Sequence, residues 1–185
     1  MAYTIVSATS DMITDMYQIN TDEVNAAKNR NDITTPNETL EKFTAIVNSG
    51  TESLVAVEDG NVIGFMIIDR ENKQNTDTGV NLNIGYKWFD DNLTDFFYLE
   101  RCVIHADHRH RGITDAFVEE ARSRAAAANV SKLVGEVVIA PKVSSALAYW
   151  ESKGFTEVGR VTYNQADRAA GSQFDVVYWL GGQDV

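Results

Sequence analysis

All three histidines of the chain fall in the stretch His105-Ala106-Asp107-His108-Arg109-His110-Arg111-Gly112, which is also its only dense basic patch. A strand over Phe96 to Ile104 is expected to end where the patch begins, and a helix over Gly112 to Ala128 to start where it stops. The first amides of a helix have no internal acceptor and carry the positive end of its dipole. A helix start preceded by arginines therefore suits a phosphate or pyrophosphate, and Gly112 lets the backbone come close to it. No Gly-Lys-Ser/Thr ending follows, so this is not a Walker loop, and the Gly-x-Gly-x-x-Gly of a dinucleotide site is missing. Histidines, with an unperturbed pKa of about 6.5, fit beside phosphate. A zinc site of His105, His108 and His110 is the other reading. A loop this short seldom aims three rings at one ion, and only Asp107 adds a carboxylate, so no metal is expected.

The rest of the chain is acidic. Its 185 residues carry 27 Asp+Glu against 16 Lys+Arg, a formal net charge of -11. That balance argues against nucleic acid or a membrane surface as partner, since affinity for polyphosphate comes mostly from Lys and Arg. With 44% hydrophobic and 23% charged residues, the composition is that of a soluble globular protein, and one domain over residues 1–185 is expected. Cys102 is the only cysteine, which rules out an internal disulfide and a Cys-based zinc site. The N-terminal residues lack a secretory h-region and no stretch approaches a membrane span, so a cytoplasmic address is expected.

Certain elements must position the basic patch. A strand over Tyr3 to Val6 precedes a helix with Met12, Ile13, Met16 and Tyr17, and the polar run Asn20 to Thr34 reads as loop or frayed helix. Thr35-Pro36-Asn37-Glu38 has the cap, N1 and N3 residues of a helix start, and that helix runs to Ser49-Gly50. Leu54 to Val57 and Val62 to Ile68 flank Glu58-Asp59-Gly60-Asn61, where Asp-Gly suits a hairpin turn. Tyr86, Trp88 and Phe89 form an aromatic cluster that either lines a pocket or closes a core. After the patch come a strand over Leu133 to Ile139, a helix over Ser144 to Lys153 ending at Gly154, and strands over Phe155 to Val161 and Phe174 to Leu180. The order β-α-α-β-β-β-α-β-α-β-β implies an α/β fold of the α+β type with a mixed sheet and helices on both faces.

Arg109-x-x-Gly112-x-Thr114 resembles the Q/R-x-x-G-x-G/A signature of the Gcn5-related N-acetyltransferases, the GNAT superfamily. Ser145-Ala146-Leu147-Ala148-Tyr149-Trp150-Glu151-Ser152-Lys153-Gly154-Phe155 is similar to the A-x-x-x-Y-x-x-x-G-F ending of that family. The hairpin and the element order agree over Leu54 to Leu180, and Tyr86-x-Trp88-Phe89 resembles a group of predicted acetyltransferases of unknown substrate. The resemblance implies a mostly antiparallel sheet of six to seven strands and acetyl-CoA as acyl donor. It implies that His110, Arg111, Gly112, Ile113 and Thr114 hold the pyrophosphate with Arg109, that Cys102, Val103 and Ile104 bond the pantetheine arm, and that Ser145 and Trp150 also face the cofactor. Homodimers are common in the family.

An amine acceptor must lose a proton to attack the thioester, so a base within direct or one-water reach is required. Glu100 is the candidate on the strand before the loop, and Glu136 on the next strand is the second. Two positions depart from the family pattern. Thr114 replaces a small residue and either crowds the pyrophosphate or donates to it. Trp150 stands where many relatives have an acid tyrosine; Tyr149 is adjacent but about 100° away around the helix, and protonation by solvent or by the departing ammonium is the alternative. The expected activity is acetyl transfer to a primary amine by direct attack in a ternary complex. The competing expectation is a non-catalytic acyl-CoA-binding or sensing module.

Overall fold

A computed structural model of the chain describes residues 2–29, 39–48, 52–69, 84–140, 144, 146–163 and 176–185. Its elements are β1 (Thr4–Ser7), α1 (Ile13–Asn29), α2 (Leu40–Asn48), β2 (Glu52–Glu58), β3 (Asn61–Asp69), α3 (Ile84–Asn92), β4 (Phe96–Ile104), α4 (Ile113–Ala127), β5 (Lys132–Ala140), α5 (Ala146–Ser152), β6 (Thr156–Tyr163) and β7 (Val176–Asp184). The strands form a seven-stranded sheet in the order β1-β2-β3-β4-β5-β7-β6. Pairing is antiparallel for β1 with β2, β2 with β3, β5 with β7 and β6 with β7, and parallel for β4 with β5. This is the mixed, mostly antiparallel sheet expected, with one helix more than the sequence suggested. The chain gathers into two compact units, residues 1–71 with 100–123 and residues 72–99 with 124–185.

In the first unit the hairpin turn has Asp59 at φ 50° and Gly60 at φ 82°, the left-handed pair that joins twisted strands in two residues. Helix α1 runs to Asn29, well into the polar segment that reads as loop or frayed helix. Its buried stripe is Ile13, Met16, Asn20, Val24 and Ala27, a helical spacing that a polar residue interrupts. Asn20 is accommodated because its Oδ1 accepts from Arg101 Nη1 at 3.4 Å. Helix α2 is capped by Thr39, whose Oγ1 accepts from the Lys42 amide at 3.2 Å; the expected cap at Thr35-Pro36-Asn37-Glu38 lies outside the described residues. The core gathers Met16, Phe43, Val55, Phe65 and Ile67, with Phe43 and Phe65 edge to face at 5.7 Å.

The second unit closes around Phe89, Tyr98, Val134, Val161 and Leu180. Helix α3 is the unexpected element, for Gly85 sits near its start and Asp90 and Asp91 oppose the dipole at its end. Two contacts offset this. Phe89 is fully buried, and the Trp88 ring occupies the space a side chain would take at Gly159. Lys87 Nζ also pairs with Asp91 at 2.7 Å. Trp88 and Phe89 of the aromatic cluster therefore close a core. Strand β7 continues past Leu180 because the Trp179 ring covers Gly181.

Gly64 of β3 matters for the site because it faces β4. A Cβ there would stand 3.0 Å from the Val103 carbonyl oxygen and 3.3 Å from Ile104 Cα, and backbone cannot yield as a side chain can. Gly64→Ala should cost about 1–3 kcal/mol, a fall in Tm of roughly 3–10 °C, read by calorimetry; an unchanged Tm would refute this close approach.

Candidate functional site

In the first unit the chain leaves β4 through a short 3-10 turn over Ala106–His108 and enters α4 at Ile113. The turn is anchored by the His105 amide, which donates to the Ile63 carbonyl at 3.0 Å. His110 has φ 61° and Gly112 φ 78°, so the backbone passes twice through the left-handed region before the helix. A left-handed bend of this kind can turn successive N–H groups toward one side, as in anion-binding nests. The amides of Ile113 and Thr114 add the unpartnered first turn of a long helix. Gly112 and His110 are exposed, and the nearest atom a Cβ on Gly112 would meet is the Tyr3 hydroxyl at 3.8 Å. The space beside Gly112 is thus open.

The side chains of the basic patch are used differently from what the sequence suggests. Arg109 pairs with Glu23 of α1, and its Nε donates to the Ile104 carbonyl at 3.2 Å. Arg111 forms a two-pronged pair with Glu58 at 2.8 and 2.6 Å. His108 Nδ1 lies 3.3 Å from the same carboxylate. Glu58 is held below the usual carboxylate range, first by its hydrogen bond from Arg111 and against the effect of desolvation. The arginines are therefore tied back to carboxylates from α1 and β2. The rings of His105 and His108 meet edge to face at 5.6 Å. Among the described residues no cluster of three or more His, Cys, Asp or Glu side chains is placed to hold a metal.

Thr114 is half-buried and its hydroxyl bonds the Cys102 thiol, so it is turned toward β4. Burial pushes that thiol up to about 12, with the Thr114 bond acting the other way. Glu100 Oε1 lies 3.4 Å from Arg101 Nη2, both side chains being nearly buried. The guanidinium also stands 5.9 Å from the Phe43 ring centre. Val103 and Ile104 are half-buried strand residues beside Gly64.

In the second unit β4 pairs with β5 only over Phe96–Tyr98 with Lys132–Val134. The next residues, Leu99, Gly135, Glu136 and Val137, line a small open cleft together with Trp150, Phe155 and Trp179. The G-F ending has a local cause. Gly154, at φ 87°, donates to the Glu151 carbonyl at 3.0 Å, and Phe155 donates to the Trp150 carbonyl at 3.2 Å, the bond pair of a Schellman cap. The cap brings the rings of Trp150 and Phe155 to 5.1 Å. Tyr149 is not among the lining residues; its ring meets Trp150 at 5.2 Å and carries Lys153 Nζ at 5.4 Å. Ser145 lies outside the described residues. Glu23, Glu58 and Tyr3 were not anticipated, because their partners are far away in sequence.

The model of the GNAT acetyltransferase family matches residues 13–155. The chain belongs to the GNAT acetyltransferase family. None of the curated proteins matches it. Solved structures share the fold: a GNAT-family acetyltransferase of Listeria monocytogenes has a TM-score of 0.70 at 12% identity, covering 99% of this chain and 95% of its own. An N-acetyltransferase of Staphylococcus aureus gives 0.67 at 14%, covering 100% and 99%. A ribosomal-protein-alanine N-acetyltransferase of Brucella melitensis gives 0.66 at 17%, covering 98% and 99%. GNAT acetyltransferases take acetyl-CoA as donor and transfer its acyl group to an acceptor. No helix among the described residues is long and apolar enough to cross a membrane.

The raised thiol gives a direct check. Cys102 stays protonated through neutral pH, since only above its native value of about 12 does the thiolate dominate. Its alkylation by iodoacetamide in the folded protein should stay slow, without an inflection, from pH 7 to about 10. A titration midpoint near the ordinary thiol value would contradict that burial.

Proposed function

We propose that the chain is an acetyl-CoA-dependent N-acetyltransferase, one domain over residues 1–185, that acetylates a primary amine of a small molecule or an exposed amino group by direct attack. The observation that carries this reading is the left-handed backbone at His110 and Gly112 ahead of α4, in a chain that the family model matches over residues 13–155. The amides of His110 to Thr114 hold the donor's pyrophosphate, with Arg109 and Arg111 bracing the loop. Cys102, Val103 and Ile104 offer backbone groups to the pantetheine arm.

Two carboxylates compete for the role of proton acceptor. Glu136 lines the cleft among apolar and aromatic walls, whereas Glu100, which pairs with Arg101, is not among the lining residues. Glu136 is therefore the proposed base, directly or through one water. The amine gives up its proton, its nitrogen bonds the acyl carbon, and the C–S bond breaks. No hydroxyl stands among the described lining residues and Trp150 aligns with the acid tyrosine of many relatives, so the departing thiolate takes its proton, through water, from the adduct nitrogen, which became cationic on bonding the acyl carbon. Those same features favour a second reading, an acyl-CoA-binding module without turnover.

Acetyl-CoA should raise the Tm under either reading, and release of thiol with at least one amine of a broad panel separates them. In the enzyme, Glu136→Gln should lower kcat about 100-fold or more with donor affinity little changed, and Glu100→Gln should cost less than about tenfold. The reverse ranking would move the base to Glu100. Failure of both acetyl-CoA and CoA to shift the Tm at millimolar concentration would overturn the donor assignment.

A further inference from the structure

Glu58 is the last residue of β2, just before the Asp59-Gly60 turn, and only 9% of its side chain is exposed. Arg111 meets it fork to fork: Nη1 donates to Oε2 at 2.8 Å and Nη2 to Oε1 at 2.6 Å. Arg111 Nη1 also lies 2.7 Å from His108 Nδ1, and that ring nitrogen is 3.3 Å from Glu58 Oε2. One carboxylate thus holds Arg111, which in turn meets His108; these two loop residues bracket the left-handed His110, and Gly112 follows directly. A two-pronged guanidinium pair fixes direction as well as distance, which a single point charge does not.

We propose that Glu58 is a positioning residue for the donor loop: by fixing Arg111 and His108 it holds the His110 to Thr114 amides in the arrangement that receives the pyrophosphate. This rests on the reading that the loop binds that group. Arg111 is on this account a brace whose charge is already matched, and its guanidinium is not the phosphate's partner. The two roles differ in sign. Were Arg111 the phosphate ligand, removing the Glu58 charge would release a cation to the donor and tighten binding. As a brace, Arg111 loses its hold when Glu58 is changed, the loop loosens, and binding weakens.

The test is calorimetric titration of the full chain with CoA and with pantetheine, which has no phosphate. Glu58→Gln should weaken CoA by about tenfold or more, the order of one lost charge-assisted hydrogen bond, and leave the pantetheine affinity unchanged. Arg111→Lys keeps the charge but loses the fork, and should give the same selective loss; it carries the test if Glu58→Gln fails to fold. Glu58→Gln with Arg111→Gln should be no worse than the weaker of the two single variants, because both act through one pair. Tighter CoA binding in Glu58→Gln, or an equal loss for CoA and pantetheine, would overturn the proposal. Wild-type protein that binds pantetheine but gains nothing from the phosphates of CoA would overturn the loop reading itself.

Discussion

The chain reaches the start of α4 from β4 by bending through left-handed backbone at His110 and Gly112, and the pair between Glu58 and Arg111 spans that bend. Gly112 adopts this conformation freely, whereas His110 carries a Cβ and incurs a cost of about 1 kcal/mol. Such a conformation persists only where surrounding contacts over-determine it. Here the contacts are ionic and come from β2 and α1, through Glu58 and Glu23. The loop's arginine charge is spent inward on its own shape, which on the proposed reading leaves the outward chemistry to N–H groups.

The second unit shows a comparable division between shape and chemistry. A Schellman cap ends α5 and brings Trp150 against Phe155, and three aromatic rings with Leu99 and Val137 make most of the cleft wall. Glu136 is the titratable group among the described lining residues. On the proposed reading, a cleft whose one charged lining residue is a carboxylate suits an amine acceptor better than an acidic one. The wider acid surplus of the chain, -11 overall, acts in the same direction by drawing cations toward the protein.

Much of this was legible in the sequence wherever the signal was local. Asp59-Gly60 announced the hairpin, the aromatic and β-branched content of Phe96 to Ile104 marked β4, and Gly112 and Gly154 marked the two glycine-dependent turns. What the sequence concealed depended on distant partners. Asn20 interrupts the apolar stripe of α1 and is tolerated only because Arg101, 81 residues away, reaches it. Helix α3 has poor intrinsic propensity and forms where Trp88 finds the bare face of Gly159. The basic patch was visible as charge, but its neutralisation by Glu58, 53 residues from Arg111, was not. Thr114, a departure from the family pattern, turns out to face Cys102.

The claim on which the rest turns is that backbone amides at the head of α4 receive the donor's phosphates. Titrating isotopically labelled protein with CoA and following ¹⁵N–¹H correlation spectra reads those amides one by one. The account predicts that the largest displacements fall on His110, Arg111, Gly112, Ile113 and Thr114 and saturate with the calorimetric affinity. CoA that binds while these resonances stay in place would contradict it.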